Sequence, residues 1–264
     1  MNEDIYKKIS ETLSAGNSVV LCTVIASTGS APRHAGTKML IFENGERMGT
    51  VGGGEIEGLV INEAMTSLKT NKTKVLKYSM VDPLRGDPGT CGGTVEILVE
   101  PVKPSPRVII IGGGHVGKAL AQLAKYLGFK VAVSDDRVEF CNHEANPYAD
   151  EFFAVPMKEL PDVTDITSST YLLLTTRGSE TDIAGLGSLL KTPAAFIGVI
   201  GSRRRWETTR KGLLEQGVSV EDLDRVHSPL GLELNAETPE EIAVSIMAEV
   251  IMVRNNGTGI SMKA

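Results

Sequence analysis

A short apolar segment that ends in a cluster of glycines constrains the fold of this 264-residue chain more than any other feature. Residues 108–111 are consecutive branched apolar residues, which is typical of a buried strand, and an apolar helical pattern begins at Lys118. Between them, three glycines have the G-x-G-x-x-G spacing: Gly112, Gly114 and Gly117. That spacing permits a sharp turn, close approach of the backbone to a pyrophosphate, and close packing of a helix on a strand.

A second strand and its terminal carboxylates strengthen this interpretation. Residues 130–134 are largely apolar and are followed by Asp135 and Asp136. The distance from the glycines is close to the roughly 20 residues at which a Rossmann-type domain places a carboxylate on ribose hydroxyls. We therefore predict an α/β protein with a Rossmann-type, doubly wound parallel sheet that binds a dinucleotide. The alternative is a Rossmann half that is kept only for its architecture.

Composition and charge exclude several classes of protein. The net charge of −6 provides no general basic surface for nucleic acid. No segment approaches about 18 uninterrupted apolar residues, and residues 1–4 are acidic where a signal peptide is basic. We expect a cytoplasmic protein with neither a nucleic-acid nor a membrane partner. The three cysteines include no C-x-x-C pair, which argues against a disulfide framework or a structural zinc site.

Three prolines within residues 101–106 mark a domain boundary, because proline stops both helices and central strands. We predict a smaller α+β domain at residues 1–102, a proline-rich linker at residues 103–106, and a Rossmann-type nucleotide-binding domain at residues 107–264. In this second domain strands alternate with helices, as in parallel sheets covered on both faces. The predicted strands lie near residues 107–111, 130–134, 151–155, 170–175 and 194–200, and the predicted helices near residues 115–127, 180–190 and 203–216.

The remaining elements follow from local patterns. Thr238 and Glu241 form a capping-box pattern at the start of a final helix. The elements predicted for the first domain are a helix at residues 4–15, a strand at 18–26, a hairpin at 38–50, a helix at 54–68, and strands at 74–79 and 94–99.

Ligands of doubly wound sheets bind beyond the carboxyl ends of the strands, so the residues that follow each strand are candidates for the site. Besides the glycine motif, these segments are residues 135–137, 175–178 and 201–205. The last of them places three arginines, Arg203 to Arg205, in the first turn of a helix, where they oppose the positive end of the helix dipole. This pattern predicts a bound anion or an acidic partner at that position. The alternative is a solvated basic turn.

Three further sites have competing interpretations. Cys91 lies among glycines, which favours an accessible thiol, although most free cysteines behave as small buried apolar residues. Gly52–Gly54 precede a helix and form either a second anion-binding turn or a tight structural turn. His115 occupies a variable position of the glycine motif, and we expect it to face a ligand there, but it has no visible carboxylate partner for general base catalysis. Cys22 lies inside an apolar strand and is expected to be structural.

Taken in order, these motifs resemble those of the XdhC/CoxI family, accessory factors for the maturation of molybdenum hydroxylases such as xanthine dehydrogenase. The resemblance covers nearly the whole chain. In the first domain, which it identifies as XdhC/CoxI-like, the motifs are Gly29–Arg33 with Gly36, Gly49–Glu57, and Cys91–Gly93. In the second domain they are Gly112–Gly117, Asp135–Arg137, Thr176–Gly178 with Asp182, Ile200–Arg204, Ser228–Leu232, and Thr238–Ala243.

The resemblance implies an accessory factor that is not itself an enzyme. Such a protein binds molybdenum cofactor (molybdopterin), supports its sulfuration with a cysteine desulfurase, inserts it into a xanthine dehydrogenase-type hydroxylase, and forms a homodimer. Molybdenum is then held through the pterin dithiolene, with Cys91 as the candidate thiol near the metal, and no protein residue is a direct ligand otherwise. The expected cofactor-binding residues are Gly52, Gly53, Gly54, Cys91, Gly112, Gly114, His115, Gly117, Asp135, Arg137, Arg177, Ser202 and Arg203.

Two functions of other classes remain open at this point. The glycine motif and Asp135 are also typical of an oxidoreductase that uses NAD(P). A nucleotide-sensing protein that only docks onto the hydroxylase needs the same motif without any cofactor transfer.

Overall fold

The computed structural model describes residues 2–30, 33–79 and 92–263, and the chain forms two compact units, Met1–Pro104 and Ser105–Ala264. The division falls within the linker predicted at residues 103–106. Each unit has its own sheet and its own hydrophobic core. Within the described ranges, no helix combines the length and the apolar character that crossing a membrane requires.

The first unit is a five-stranded antiparallel sheet with a helix on each face. The strand order is β3-β2-β1-β5-β4. In chain order its elements are α1 (Asn2–Ser14), β1 (Val19–Thr28), β2 (Lys38–Phe42), β3 (Arg47–Gly49), α2 (Gly54–Thr70), β4 (Lys74–Ser79) and β5 (Thr94–Val102).

Alternation along β1 explains why both faces of this sheet are covered. Val20, Cys22 and Val24 pack in one cluster with residues of α2. Val19 packs in a second cluster with Ile5 of α1, because successive side chains of a strand point to opposite faces. Burial raises the pKa of the Cys22 thiol to about 12, so the thiol stays protonated and packs as a small apolar group. The structural role predicted for Cys22 is confirmed.

The second unit is a six-stranded parallel sheet with the order β11-β10-β9-β6-β7-β8. The chain starts at the centre, moves outwards on one side, and then crosses to the other side, which is the 3-2-1-4-5-6 strand order of dinucleotide-binding folds. The predicted Rossmann-type fold class is confirmed. The elements are β6 (Arg107–Ile111), α3 (His115–Tyr126), β7 (Lys130–Ser134), β8 (Glu151–Phe153), α4 (Leu160–Val163), β9 (Thr170–Leu174), α5 (Ser179–Leu189), β10 (Phe196–Val199), α6 (Arg203–Glu215), α7 (Val220–Leu223), β11 (Val226–His227) and α8 (Pro239–Arg254).

Both faces of this sheet are buried, which explains the uninterrupted apolar run of β6. Val108 and Ile110 pack against residues of α3 and α8. Ile109 and Ile111 pack on the other face against residues of α5 and α6. Since β6 and β9 are neighbours but lead to helices on opposite faces, their carboxyl ends flank the crevice in which such folds bind ligands.

Local signals predict the ends of several elements. The hydroxyl of Thr238 accepts a hydrogen bond from the backbone N–H of Glu241 at 3.2 Å, and the Glu241 carboxylate accepts one from the N–H of Thr238 at 3.1 Å. Backbone hydrogen bonds from Glu237 and Thr238 lower the pKa of Glu241. The predicted capping box is confirmed. Strand β11 was not predicted, because its two residues are too few to form a recognisable apolar pattern.

Candidate functional site

The turn between β6 and α3 uses its three motif glycines in different ways. At Gly112, where φ is 115°, a Cβ atom would lie 2.5 Å from the carbonyl oxygen of Thr175. At Gly117, a Cβ atom would lie 2.0 Å from the carbonyl oxygen of Gly112. At Gly114, a Cβ atom would meet no heavy atom of the described residues within 4 Å. Packing therefore requires Gly112 and Gly117, whereas Gly114 borders open space at the start of the helix.

Among the residues that the structure describes, no side chain caps the amino end of α3. Gly114 is the N-cap residue, and the first turn of the helix contains no acidic residue. A helix that starts in this way presents unpaired N–H groups and the positive end of its dipole, which suits a phosphate. His115, the first residue of the helix, is exposed, and the described residues offer its ring no hydrogen-bond partner.

The Asp135 carboxylate ties this turn to the strand beside it. One oxygen, Oδ2, accepts from the N–H of Gly113 at 2.9 Å and from Nη2 of Arg137 at 2.8 Å. The other, Oδ1, accepts from the backbone N–H of Arg137 at 3.0 Å and from its Nε at 2.9 Å. Burial raises the pKa of Asp135, but the hydrogen bonds from Arg137 and Gly113 outweigh burial, so its pKa is lowered. The carboxylate is therefore ionised and fully engaged within the protein.

Arg137 has a fixed position as well. Its guanidinium lies 4.0 Å from the centre of the Phe140 ring. The backbone of Phe140 in turn lies close to the glycine turn, because a Cβ atom at Gly113 would lie 2.1 Å from the carbonyl oxygen of Phe140. The buried Asn146 donates hydrogen bonds to the carbonyl oxygens of Gly113 and Phe140, at 3.0 and 2.8 Å. The segment after β7 thus packs directly on the glycine turn.

Asp136, although next in sequence, lies in a different environment. Its two carboxylate oxygens accept from Nη2 of Arg177 at 3.0 and 3.1 Å, which joins the loop after β7 to the loop after β9. The side chains of Asp136 and Arg177 are 48% and 52% exposed. Ion pairs this exposed contribute only about 0–1 kcal/mol to stability, so this one is easily broken.

A buried ion pair fixes the loop that follows β9. The completely buried Asp182 of α5 accepts from Nη2 and Nε of Arg205, at 2.7 and 3.1 Å. Asp182 also accepts from the hydroxyl of Thr176, and Nη1 of Arg205 donates to the carbonyl oxygen of Thr176 at 3.2 Å. Removing one partner of a buried pair costs about 3–5 kcal/mol. One of the three arginines at the start of α6 therefore has its acidic partner inside the protein.

The other two of the three arginines at the start of α6 are exposed to solvent. Ser202 is the N-cap residue, and its hydroxyl accepts from the N–H of Arg205 at 3.3 Å. Arg203 and Arg204 are exposed, and no acidic residue lies in this first turn. Their charges remain beside the positive end of the helix dipole, an arrangement that favours an external anion. Binding by Ser202 and Arg203 stays a prediction.

A cavity of about 440 Å³ opens at the carboxyl ends of β6, β7, β8 and β9, beside Gly112. Its volume lies in the range of small-molecule sites. The buried hydroxyl of Ser134 also lines it and has no hydrogen-bond partner among the described residues. Three acidic and three basic side chains line this cavity: Asp135, Asp136, Glu180, Arg137, Lys158 and Arg177.

The second glycine turn, Gly52–Gly54, has a different chemical character. All three glycines have positive φ, and Gly53 is the uncapped N-cap residue of α2. The first turn of α2 contains two acidic residues, and one of them, Glu57, is buried. The Glu57 carboxylate accepts from the hydroxyl of Thr50 at 3.4 Å and would lie 3.8 Å from a Cβ atom at Gly53. A negative charge thus already occupies the position beside this turn.

The motifs of the first unit meet at one end of its sheet. The register pairs Thr28 with Thr94, at the end of β1 and the start of β5, and a Cβ atom at Gly29 would lie 2.9 Å from the carbonyl oxygen of Gly92. The chain leaves β3 for α2 at the same end, because Gly49 pairs with Met39 of β2. Cys91 lies outside the described residues.

Sequence reasoning missed two features of this site. The clamp on Asp135 was not recognised, although the D-D-R sequence at residues 135–137 contained a signal, since an arginine two residues after an acid can fold back onto it. The Asp182–Arg205 pair was missed because 23 residues separate its partners. Only the fold brings α5 and α6 together.

Comparisons with known proteins agree with this architecture. The model of the XdhC Rossmann domain matches residues 108–250, and that of the XdhC and CoxI family matches residues 12–79. The chain is 24% identical to a xanthine dehydrogenase from Bacillus halodurans whose crystal structure it matches with a TM-score of 0.51 over 97% of both chains, a likeness in fold.

Three curated proteins show sequence similarity. The chain is 34% identical to the Escherichia coli protein YqeB over 249 residues, which cover 90% of this chain and 44% of YqeB. It is 29% identical to a probable xanthine dehydrogenase subunit of Bacillus subtilis, over 61% of this chain and 47% of that protein. Identity to the Escherichia coli molybdenum cofactor insertion chaperone PaoD is 22%, over 92% of this chain and 86% of PaoD. The chain thus spans less than half the length of the first two relatives. It belongs to the XdhC and CoxI family, and its second unit is an XdhC Rossmann domain.

Proposed function

We propose that this protein binds molybdenum cofactor as cargo and supports its insertion into a molybdenum hydroxylase of the xanthine dehydrogenase type. The observation that carries the proposal is the start of α3 at Gly114, which no described side chain caps and which comes two residues after Gly112, a residue that lines a cavity of about 440 Å³. Family membership favours this cargo, as do relatives named a molybdenum cofactor insertion chaperone and a probable xanthine dehydrogenase subunit.

The chemistry of the cargo fits this arrangement. Molybdenum cofactor is a pterin that carries a phosphate and holds its metal through a dithiolene. The phosphate suits the N–H groups and the dipole at the start of α3. Because the dithiolene already coordinates the metal, a carrier protein has to bind and shield the molecule and does not have to ligate molybdenum. The proposal therefore assigns no catalytic residue.

We further propose a role in sulfuration of the bound cofactor by a cysteine desulfurase, with Cys91 near the metal. In this proposal the glycine turn at residues 52–54 also contributes to binding of the cofactor. The expected result for Cys91→Ala is normal molybdenum content with reduced sulfuration, measured as cyanide-released sulfur.

We also propose that the protein acts as a homodimer in the cytoplasm. Sedimentation of the purified protein tests its oligomeric state.

The decisive experiment measures molybdenum retained by the full chain after anaerobic purification. Gly114→Asp places a negative charge in the open space at the start of α3, where it competes with the phosphate. As a control, Gly257→Asp adds the same charge at an exposed glycine that follows α8 in the sequence. A Cβ atom at Gly257 would make only ordinary contacts, of 3.6 Å or more. We expect Gly114→Asp to lose most of the molybdenum and Gly257→Asp to retain it.

Retention by both variants would contradict the proposal. So would a wild-type protein that binds NAD(H) in equilibrium dialysis and does not bind molybdenum cofactor. That second result would favour an oxidoreductase or a nucleotide sensor, which share the glycine motif.

A further inference from the structure

The cavity beside Gly112 suits an uncharged nucleoside better than a phosphate. Its three acidic and three basic side chains cancel one another, so it has no net attraction for an anion. Its walls also include apolar side chains, such as Val155, Pro156 and Met157. A phosphate is favoured instead at the start of α3. Two neighbouring regions of the second unit thus suit the two parts of one nucleotide.

Asp135 cannot take ribose hydroxyls without losing bonds that it already makes. Four N–H donors, one from Gly113 and three from Arg137, occupy its two oxygens. A carboxylate has about four acceptor sites in total, so none is left for a ligand. Its side chain is only 3% exposed, and a donor lost from a buried charge is not replaced by water.

Asp136 has the free hydrogen-bond acceptor sites that Asp135 lacks. Among the described residues, its hydrogen-bond donor is one nitrogen of Arg177, shared between both oxygens, which leaves acceptor sites on each. Both side chains are about half exposed, and such pairs exchange partners readily. Asp136 and Arg177 both line the cavity.

We infer that this cavity is a nucleoside subsite in which Asp136 binds the 2′- and 3′-hydroxyls of a ribose in place of Arg177. Asp135 is then a positioning residue that holds the glycine turn through Gly113. The inference rests on the proposed function in that it gives the cargo a nucleotide tail. A ribonucleoside 5′-phosphate is the chemistry shared by a pterin dinucleotide and a nicotinamide dinucleotide.

Calorimetric titration of the full chain with nucleoside monophosphates tests this inference. The probes are CMP, GMP and AMP, each compared with its 2′,3′-dideoxy form, together with NAD⁺. For the wild-type protein we expect the preferred ribonucleotide to bind roughly tenfold or more tightly than its dideoxy form, because hydrogen bonds to a charged group are lost. Asp136→Ala lowers this ratio towards one.

Two further variants distinguish binding of the ribose by Asp136 from positioning of the glycine turn by Asp135. Asp135→Asn weakens both forms by the same factor and keeps the ratio, since it loosens the turn. Asp162→Asn removes an exposed acid of α4 outside the cavity and leaves both affinities unchanged. A circular dichroism spectrum of each variant confirms that it is folded.

A ratio near one in the wild-type protein overturns the inference, and so does a ratio that survives Asp136→Ala or disappears in folded Asp135→Asn. Molybdenum retention without a ribonucleotide preference also overturns it and leaves the proposed function in place. A ribose preference that depends on Asp136, in a protein that never retains molybdenum, supports the inference and contradicts the proposed function. Tightest binding of CMP or GMP indicates a pterin dinucleotide tail, and tightest binding of AMP and NAD⁺ a nicotinamide dinucleotide.

Discussion

The two glycine turns that start α3 and α2 share a backbone design and differ in charge. Each follows a strand and has glycine at the N-cap, and no side chain of the described residues caps either helix start. The first turn of α3 has no acidic residue, whereas α2 has two, with the carboxylate of the buried Glu57 beside the turn. We therefore expect the glycines to permit the turn and the neighbouring charges to determine whether it binds an anion.

The turns also differ in packing. In the α3 turn, Gly117 has a carbonyl oxygen 2.0 Å from where its Cβ would lie. In the α2 turn, Gly54 has positive φ, but no heavy atom of the described residues lies within 4 Å of the position that its Cβ would take. The glycine is required by close contact in the first case and by backbone conformation in the second.

The largest predicted effect follows from this difference in packing. Gly117→Ala forces the helix away from the strand, and we expect it to lower the free energy of unfolding by about 3 kcal/mol or more, the upper range for overpacking. Gly54→Ala meets only the conformational penalty of a left-handed backbone, about 1–2 kcal/mol. Urea unfolding followed by the amide signals of each unit measures both values. Equal losses in the free energy of unfolding for the two variants would contradict the proposed difference in packing between the two turns.

A smaller effect is expected at Asp135, which holds the α3 turn in place. Asp135→Asn removes the charge that Gly113 and Arg137 bind, and we expect a loss of about 2 kcal/mol at neutral pH, typical of hydrogen bonds to a charged group. The pKa of Asp135 is lowered by folding, so its contribution is present above the unfolded value of 3.8 and is lost as the pH falls below it.

The measurement for Asp135 is the free energy of unfolding of both proteins between neutral pH and pH 3. The difference between wild type and Asp135→Asn should shrink as the pH falls below 3.8. A difference that stays constant with pH would mean that the variant acts through packing and not through charge.

The fold could be predicted from sequence to a greater extent than the site. Hydrophobic runs and the glycine motif are local signals, and they were sufficient to predict the parallel sheet and the turn at residues 112–117. Asp135 and Asp136 are chemically identical neighbours, and only the folded chain distinguishes the buried one held by Arg137 from the exposed one paired with Arg177. The spacing of motifs in the sequence predicts which strand end a carboxylate follows, but it does not predict which residues the carboxylate binds.

The smallest predicted effect tests the electrostatic half of the comparison directly. Glu57→Gln removes the negative charge beside the α2 turn while it keeps the shape of the side chain. We expect the affinity of this turn for inorganic phosphate to rise only a few-fold, because a single charge near a helix start contributes about 0.3–1 kcal/mol. Amide chemical shifts measured during phosphate titration resolve the two turns: in the wild type the His115 and Val116 signals should move, and in Glu57→Gln those of Gly54 and Glu55 should move as well. If the wild-type Gly54 signals already respond, the carboxylate of Glu57 does not exclude anions, and the backbone design common to both turns is by itself sufficient to bind them.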